Sequence, residues 1–162
     1  MDTNAIIEQL RAHPFFSGFQ PRHLKCVADC ASDIHFEEGE YIYREGQEAK
    51  EFYVLLAGLV SVEILWPGES GIPLQKLGPG EVLGWSWAAP PRKKRFDAKT
   101  LEPTHAIRID ADALRARCRE DLELSHELLK RTIEVIGQRL QATRLRLRDA
   151  YGASAASQKK RS

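Results

Sequence analysis

A chain of 162 residues, 43% hydrophobic and 29% charged, can bury one core and is too apolar for wholesale disorder. No run approaches the ~18 apolar residues of a membrane span, no basic leader precedes an apolar stretch, and an odd count of three cysteines points to reduced thiols and a cytoplasmic setting. The net charge of +1 hides an asymmetry: residues 1–127 hold 15 Lys/Arg against 21 Asp/Glu, net −6, and residues 128–162 hold 9 against 2, net +7. A solvated helix face and a basic tail account for such a block; an acidic partner or nucleic acid is the alternative.

Residues 4–12 predict a short helix, capped by Thr3 or Asn4, with Ile6, Ile7 and Leu10 on its apolar side. Pro14 stops it, and Phe15, Phe16 and Phe19 are too apolar for an exposed loop, so they should plug one end of a core. Pro21 opens a second helix that buries Leu24, Val27, Ala28 and Ala31. From Ile34 to about Asp110 short strands alternate with turn signals: Ile34–Phe36, Tyr41–Tyr43, Phe52–Ala57, Leu59–Leu65, Pro73–Leu77, Val82–Leu83, Ala98–Leu101 and Ala106–Ile109. All eight prolines and nine of eleven glycines fall between Pro14 and Pro103, which marks that region as strand and turn. The fold class that follows is mostly β with flanking helices, a jelly-roll-like β-roll of double-stranded β-helix type.

After Asp110 the pattern turns helical. Ala111–Arg119 is a short helix, and Asp121 or Ser125 starts a long one reaching about Tyr151. Its apolar seam runs Leu122, His126, Leu129, Ile133, Ile136, Leu140, Thr143 and Leu147, a 4,3 spacing that marks a coiled-coil heptad and predicts a homodimer interface. Leu124, Leu128 and Val135 make a second stripe for packing on the β-region. The domain reading is residues 1–111 as helices plus β-roll, 112–151 as dimerisation helix, and 152–162 as a disordered basic tail.

The ordered motif Phe36-x2-Gly39-Glu40-x-Ile42-x3-Gly46, then Tyr53-x-Leu55-x2-Gly58-x-Val60-x-Val62, then Leu77-Gly78-Pro79-Gly80-Glu81-Val82-Leu83-Gly84 resembles the cyclic-nucleotide-binding domain. That domain is shared by catabolite-activator-type regulators, protein kinase A regulatory subunits and gated channels, and the resemblance covers about residues 15–150. It implies a β-roll whose cassette runs Gly-Glu-Leu, a short helix, then Arg-Ser/Thr-Ala. The Glu of that cassette takes the ribose 2′-hydroxyl and its Arg the phosphate.

This chain departs at each point. Trp85-Ser86-Trp87 follows Gly84, so a tryptophan stands at the carboxylate position, and at the far end Arg95-Phe96-Asp97-Ala98 takes the place of Arg-Ser/Thr-Ala. Counting forward from Gly84 puts Arg95 on the phosphate arginine; counting back from Leu101 puts Lys94 there. The candidate ligand residues are Gly84, Trp85, Ser86, Trp87, Lys94, Arg95, Phe96, Asp97 and Thr143, the last matching a purine-contacting threonine of the resembled regulators. Three readings stay open: an altered nucleotide site, a pocket for another small anionic or aromatic ligand, or a pocket filled by the indoles. At least one indole should be buried where the nucleotide would lie, with Asp97 as a candidate acceptor for its N–H.

No cofactor is certain, the candidates being a cyclic nucleotide or another small anionic or aromatic ligand, and no catalytic triad, P-loop or carboxylate pair is present, so no enzyme is expected. His23, Cys26 and Cys30 share a helix side without a fourth ligand, so no metal is expected. The expected function is a non-enzymatic regulatory or ligand-sensing module with altered or lost cyclic nucleotide binding, acting through an unidentified protein partner. The alternatives are a ligand-free dimeric scaffold and a nucleic-acid-associated protein using its basic end. With no room for a helix-turn-helix beyond the long helix, DNA binding is not expected, nor is a membrane partner.

Overall fold

The computed structural model describes residues 1–68 and 71–161. Four helices and eight strands follow in order: α1 (Thr3–Ala12), α2 (Pro21–Ala28), β1 (Ala31–Phe36), β2 (Tyr41–Tyr43), β3 (Glu51–Ala57), β4 (Val60–Ile64), β5 (Ile72–Leu77), β6 (Val82–Leu83), β7 (Asp97–Thr100), β8 (Thr104–Asp110), α3 (Ala111–Glu120) and α4 (Leu122–Lys159). The strands form two antiparallel four-stranded sheets, ordered β1-β8-β3-β6 and β2-β7-β4-β5, the expected β-roll with flanking helices.

Two apolar layers follow from strand periodicity. Tyr53 and Leu55 of β3 point into the roll, where they meet Val60, Val62, Leu77, Leu83, Ala98 and Ala106. Phe52 and Val54, on the other face of β3, pack under the helices with Phe16, Leu24, Ile107, Leu114, Leu124 and Leu128. Because both faces are covered, β3 reads as a continuous apolar run rather than an alternating one. Phe15, Phe16 and Phe19 are buried and form edge-to-face pairs in this second layer.

Caps set the helix starts. Asp2 accepts from Ala5 N at 2.8 Å, so the cap of α1 lies one residue before the expected Thr3 or Asn4. Asp121 accepts from Leu124 N at 3.1 Å and opens α4. The C-terminal end differs from expectation: α4 runs to Lys159, eight residues past Tyr151, instead of giving way to an irregular tail. Ala153, Ala155, Ala156, Gln158 and Lys159 are good helix formers, so Gly152 costs only about 1 kcal/mol and does not break the run. Ser162, the last residue of the expected tail, lies outside the described residues.

Along α4 the two stripes separate as their spacing requires. Leu124, Leu128 and Thr132 are buried against the roll. Most of the heptad seam faces outward, with Leu122, Leu129, Ile133, Leu140 and Leu147 exposed, while Ile136 is partly buried. No helix among the described residues is long and apolar enough to cross a membrane.

Candidate functional site

The cassette opens at Gly84, whose φ of +89° is the left-handed conformation that glycine alone adopts without strain. A 3-10 turn over Trp85–Ala88 follows directly. At three residues per turn, Trp85 and Trp87 point about 120° apart. Trp87 turns under the helices and stacks on Phe52 at 4.9 Å and 13°, within the helix-side core. Trp85 stays half-buried and faces a cavity between the roll and α4.

Adjacent cations in the returning segment also part company. Lys94 is 3% exposed. Its Nζ donates to the Glu51 carbonyl at 2.5 Å and lies 4.3 Å from the Tyr43 ring centroid. A Cβ on residue 84 would come within 3.0 Å of that nitrogen, so the missing side chain of Gly84 makes the seat for Lys94. Arg95 is exposed and lies 6.0 Å over the Trp85 ring, at the cavity rim. Asp97 does not accept from an indole. Its Oδ1 takes the Glu45 amide at 2.7 Å and its Oδ2 pairs with Arg44 at 3.3 Å. The first residue of β7 faces the β2–β3 turn, not the cavity, so its charge opposes no ligand there.

Burial draws the Lys94 ammonium down to about 8. Relative to the usual 10.5, that is worth roughly 3 kcal/mol against the charged folded state. Below pH 8 both folded and unfolded chains are protonated and the full penalty stands. Between pH 8 and 10 the unfolded chain binds the extra proton, so stability rises with pH. Above pH 10 buried Tyr43 and Tyr53, whose hydroxyls are pushed up by desolvation, reverse the trend, because only the unfolded chain ionises them. Lys94→Met should therefore gain about 1–2 kcal/mol at pH 7, the full gain being cut by the donor lost to Glu51. Urea titrations at pH 7 and pH 9.5 should show that gain shrinking; an equal or growing gain would contradict the assignment.

The cavity measures about 220 Å³. Of the sequence candidates, Gly84, Trp85, Ser86, Arg95, Phe96 and Thr143 line it, whereas Trp87, Lys94 and Asp97 do not. Tyr43, Val62, Leu74 and Gln75 of the roll complete one wall, and Ile136, Arg139 and Leu140 of α4 the other. Thr143 Oγ1 donates back to the Arg139 carbonyl at 2.9 Å, so its hydroxyl hydrogen is spent within the helix. Arg139 reaches across and donates to the Val82 carbonyl, and it also lines a neighbouring cleft of about 450 Å³. This second cation was not singled out from sequence. Its signal was there: it lies four residues before Thr143, hence on the same helix face. Cys26 and Cys30 belong to neither of the two clusters able to hold a metal among the described residues.

A family profile described as "Cyclic nucleotide-binding domain" matches residues 33–121. The chain is 25% identical over 134 residues to the CRP-like cAMP-activated global transcriptional regulator of Mycobacterium tuberculosis, covering 83% of this chain and 58% of that protein. It thus spans little more than half the length of that relative. A cyclic nucleotide-binding domain from Methylobacillus flagellatus KT superposes with a TM-score of 0.76 at 17% identity, covering 91% of this chain and 83% of that one. The sensor domain of the transcriptional regulator DNR from Pseudomonas aeruginosa gives 0.69 at 19%, covering 86% and 93%. At these identities the two superpositions establish a common fold.

Proposed function

We propose, from the premise that this chain belongs to the cyclic nucleotide-binding domain family, that it is a non-enzymatic regulatory module whose pocket takes a small aromatic anion in place of a cyclic nucleotide. In this reading it is cytoplasmic and acts as a homodimer on a protein partner. The observation that carries the proposal is the cavity itself. Its volume of about 220 Å³ falls below the ~300–1,000 Å³ of ordinary ligand pockets. Its walls offer the rings of Tyr43, Trp85 and Phe96, with two guanidiniums, Arg95 and Arg139, as the cations. Flat rings suit stacking, and guanidiniums suit a planar carboxylate.

The same features weaken a nucleotide. Trp85 occupies the position of the ribose-binding carboxylate, so a buried hydroxyl loses its partner, about 1–3 kcal/mol or roughly 5- to 150-fold in affinity. Calorimetry with cyclic AMP and cyclic GMP is expected to show no tight site. A submicromolar dissociation constant for either would overturn the reading. Planar aromatic carboxylates of benzoate size should quench tryptophan emission saturably, and Trp85→Phe should abolish that response. If none of them quenches or raises the melting temperature, the ligand-free scaffold stands instead.

A further inference from the structure

We propose a divalent transition-metal site on the outer surface of the β-roll, formed by Asp33 and His35 of β1 and His105 of β8. The three lie on one face of the sheet because of strand geometry. Asp33 and His35 are two apart on β1, and His35 sits directly opposite His105 in the antiparallel register. Ile34 and Phe36 point the other way into the roll, which anchors the strand behind the site.

The side chains are already gathered. The two imidazoles stack at 4.1 Å with only 10° between their planes. Both present Nε2 to the same carboxylate, His105 at 2.5 Å from Oδ1 and His35 at 3.5 Å from Oδ2. The ligand atoms lie within 4.8 Å of one another. Tetrahedral bonds of about 2.0–2.1 Å require ligand atoms about 3.3 Å apart with converging lone pairs, so the two rings must rotate out of their parallel stack to close on one ion. The carboxylate's other near neighbour, the Met1 amino nitrogen, is 3.9 Å from Oδ2, beyond hydrogen-bond reach.

Two imidazoles and one carboxylate suit zinc and its borderline neighbours better than calcium or magnesium, and three protein ligands leave a position for solvent. The other candidate cluster, His23, Asp121 and Glu123, is engaged otherwise, because Arg22 pairs with both carboxylates. Since β1 is the edge strand of its sheet, a bound ion clamps that edge onto β8. Metal that binds only the folded chain raises its melting temperature.

The test uses the untagged full chain, stripped by chelator dialysis and titrated with zinc chloride. Equilibrium dialysis should give one zinc per chain, and melting should shift upward on loading. His35→Ala removes a mostly exposed ring and should leave the fold intact. It should weaken binding at least as much as the ~10–100-fold that losing a mere outer partner costs. His105→Ala should do the same, and His126→Ala, on α4, should leave zinc stoichiometry and affinity unchanged. Absence of zinc binding, or zinc binding that survives both His35→Ala and His105→Ala, overturns the site.

Discussion

Trp87→Ala is expected to destabilise the fold by about 3–5 kcal/mol, the range for removing a large buried aromatic. The ring is 3% exposed and lies flat against Phe52. It belongs to the helix-side layer with Phe15, Phe16, Val82 and Leu124. Arg115 also donates to the Trp87 carbonyl at 2.9 Å, tying the 3-10 turn to α3 and limiting collapse into the void. A loss of that size is a large share of the ~5–15 kcal/mol by which a domain of this kind is stable. Trp85→Ala should cost only about 1 kcal/mol, because that ring is only partly buried and lines the cavity. Paired urea titrations decide between them. Equal losses at the two positions would show that the indoles share one environment, contrary to the 3-10 geometry.

That contrast also marks what the sequence could and could not disclose. Strand positions were legible because short apolar runs, alternating with period two except where both faces are covered as in β3, are punctuated by glycine and proline. All eight expected strands exist, with ends moved by no more than three residues. The two stripes of α4 were legible for the same reason, since a 4,3 spacing has a direction on a helix. The cassette was not, because its backbone is neither helix nor strand. Whether Trp85 or Trp87 meets the cavity depends on the pitch of one 3-10 turn, and composition says nothing about pitch. Lys94 and Arg95 are neighbours that face opposite ways, so no count along the chain could choose between them. Asp97 looked like part of the pocket because it follows the cassette. As the first residue of β7 it instead ties the β2–β3 turn through Arg44 and Glu45. Arg139 was hidden by its own helix, whose heptad invites one explanation for every residue on that side.

The second large effect concerns that helix. Ile133→Glu is expected to convert a dimer into monomers. Leu122, Ile133, Leu140 and Leu147 are 78%, 67%, 61% and 57% exposed in one chain, an apolar line that water should not be left to cover. The roll cannot cover it, because Leu124, Leu128 and Thr132 already use the inward face of α4. A second copy can, since the seam repeats every seven residues and a two-fold pair is self-complementary. Gly137 has nothing within 4 Å of where a Cβ would stand, so it leaves room for a close approach. Symmetry doubles the effect of each substitution. Losing one isoleucine burial per chain costs about 1.5–3 kcal/mol, before the cost of setting two carboxylates against each other. Together that weakens association by about a thousandfold or more. Arg144→Glu, off the apolar line, should weaken it far less. Sedimentation equilibrium at tens of micromolar should give twice the chain mass of 18.3 kDa for the wild type and for Arg144→Glu, and the single mass for Ile133→Glu. A wild-type chain that sediments only as a monomer would reject the dimer. The proposed dimer would also adjoin the proposed ligand cavity. Ile136, Leu140 and Thr143 belong both to the seam and to the cavity wall, so pairing two helices would fix the wall against which the proposed ligand rests. Ile133→Glu, which does not line the cavity, should therefore weaken quenching by an aromatic carboxylate as well. Unchanged quenching in the monomeric variant would separate the two sites.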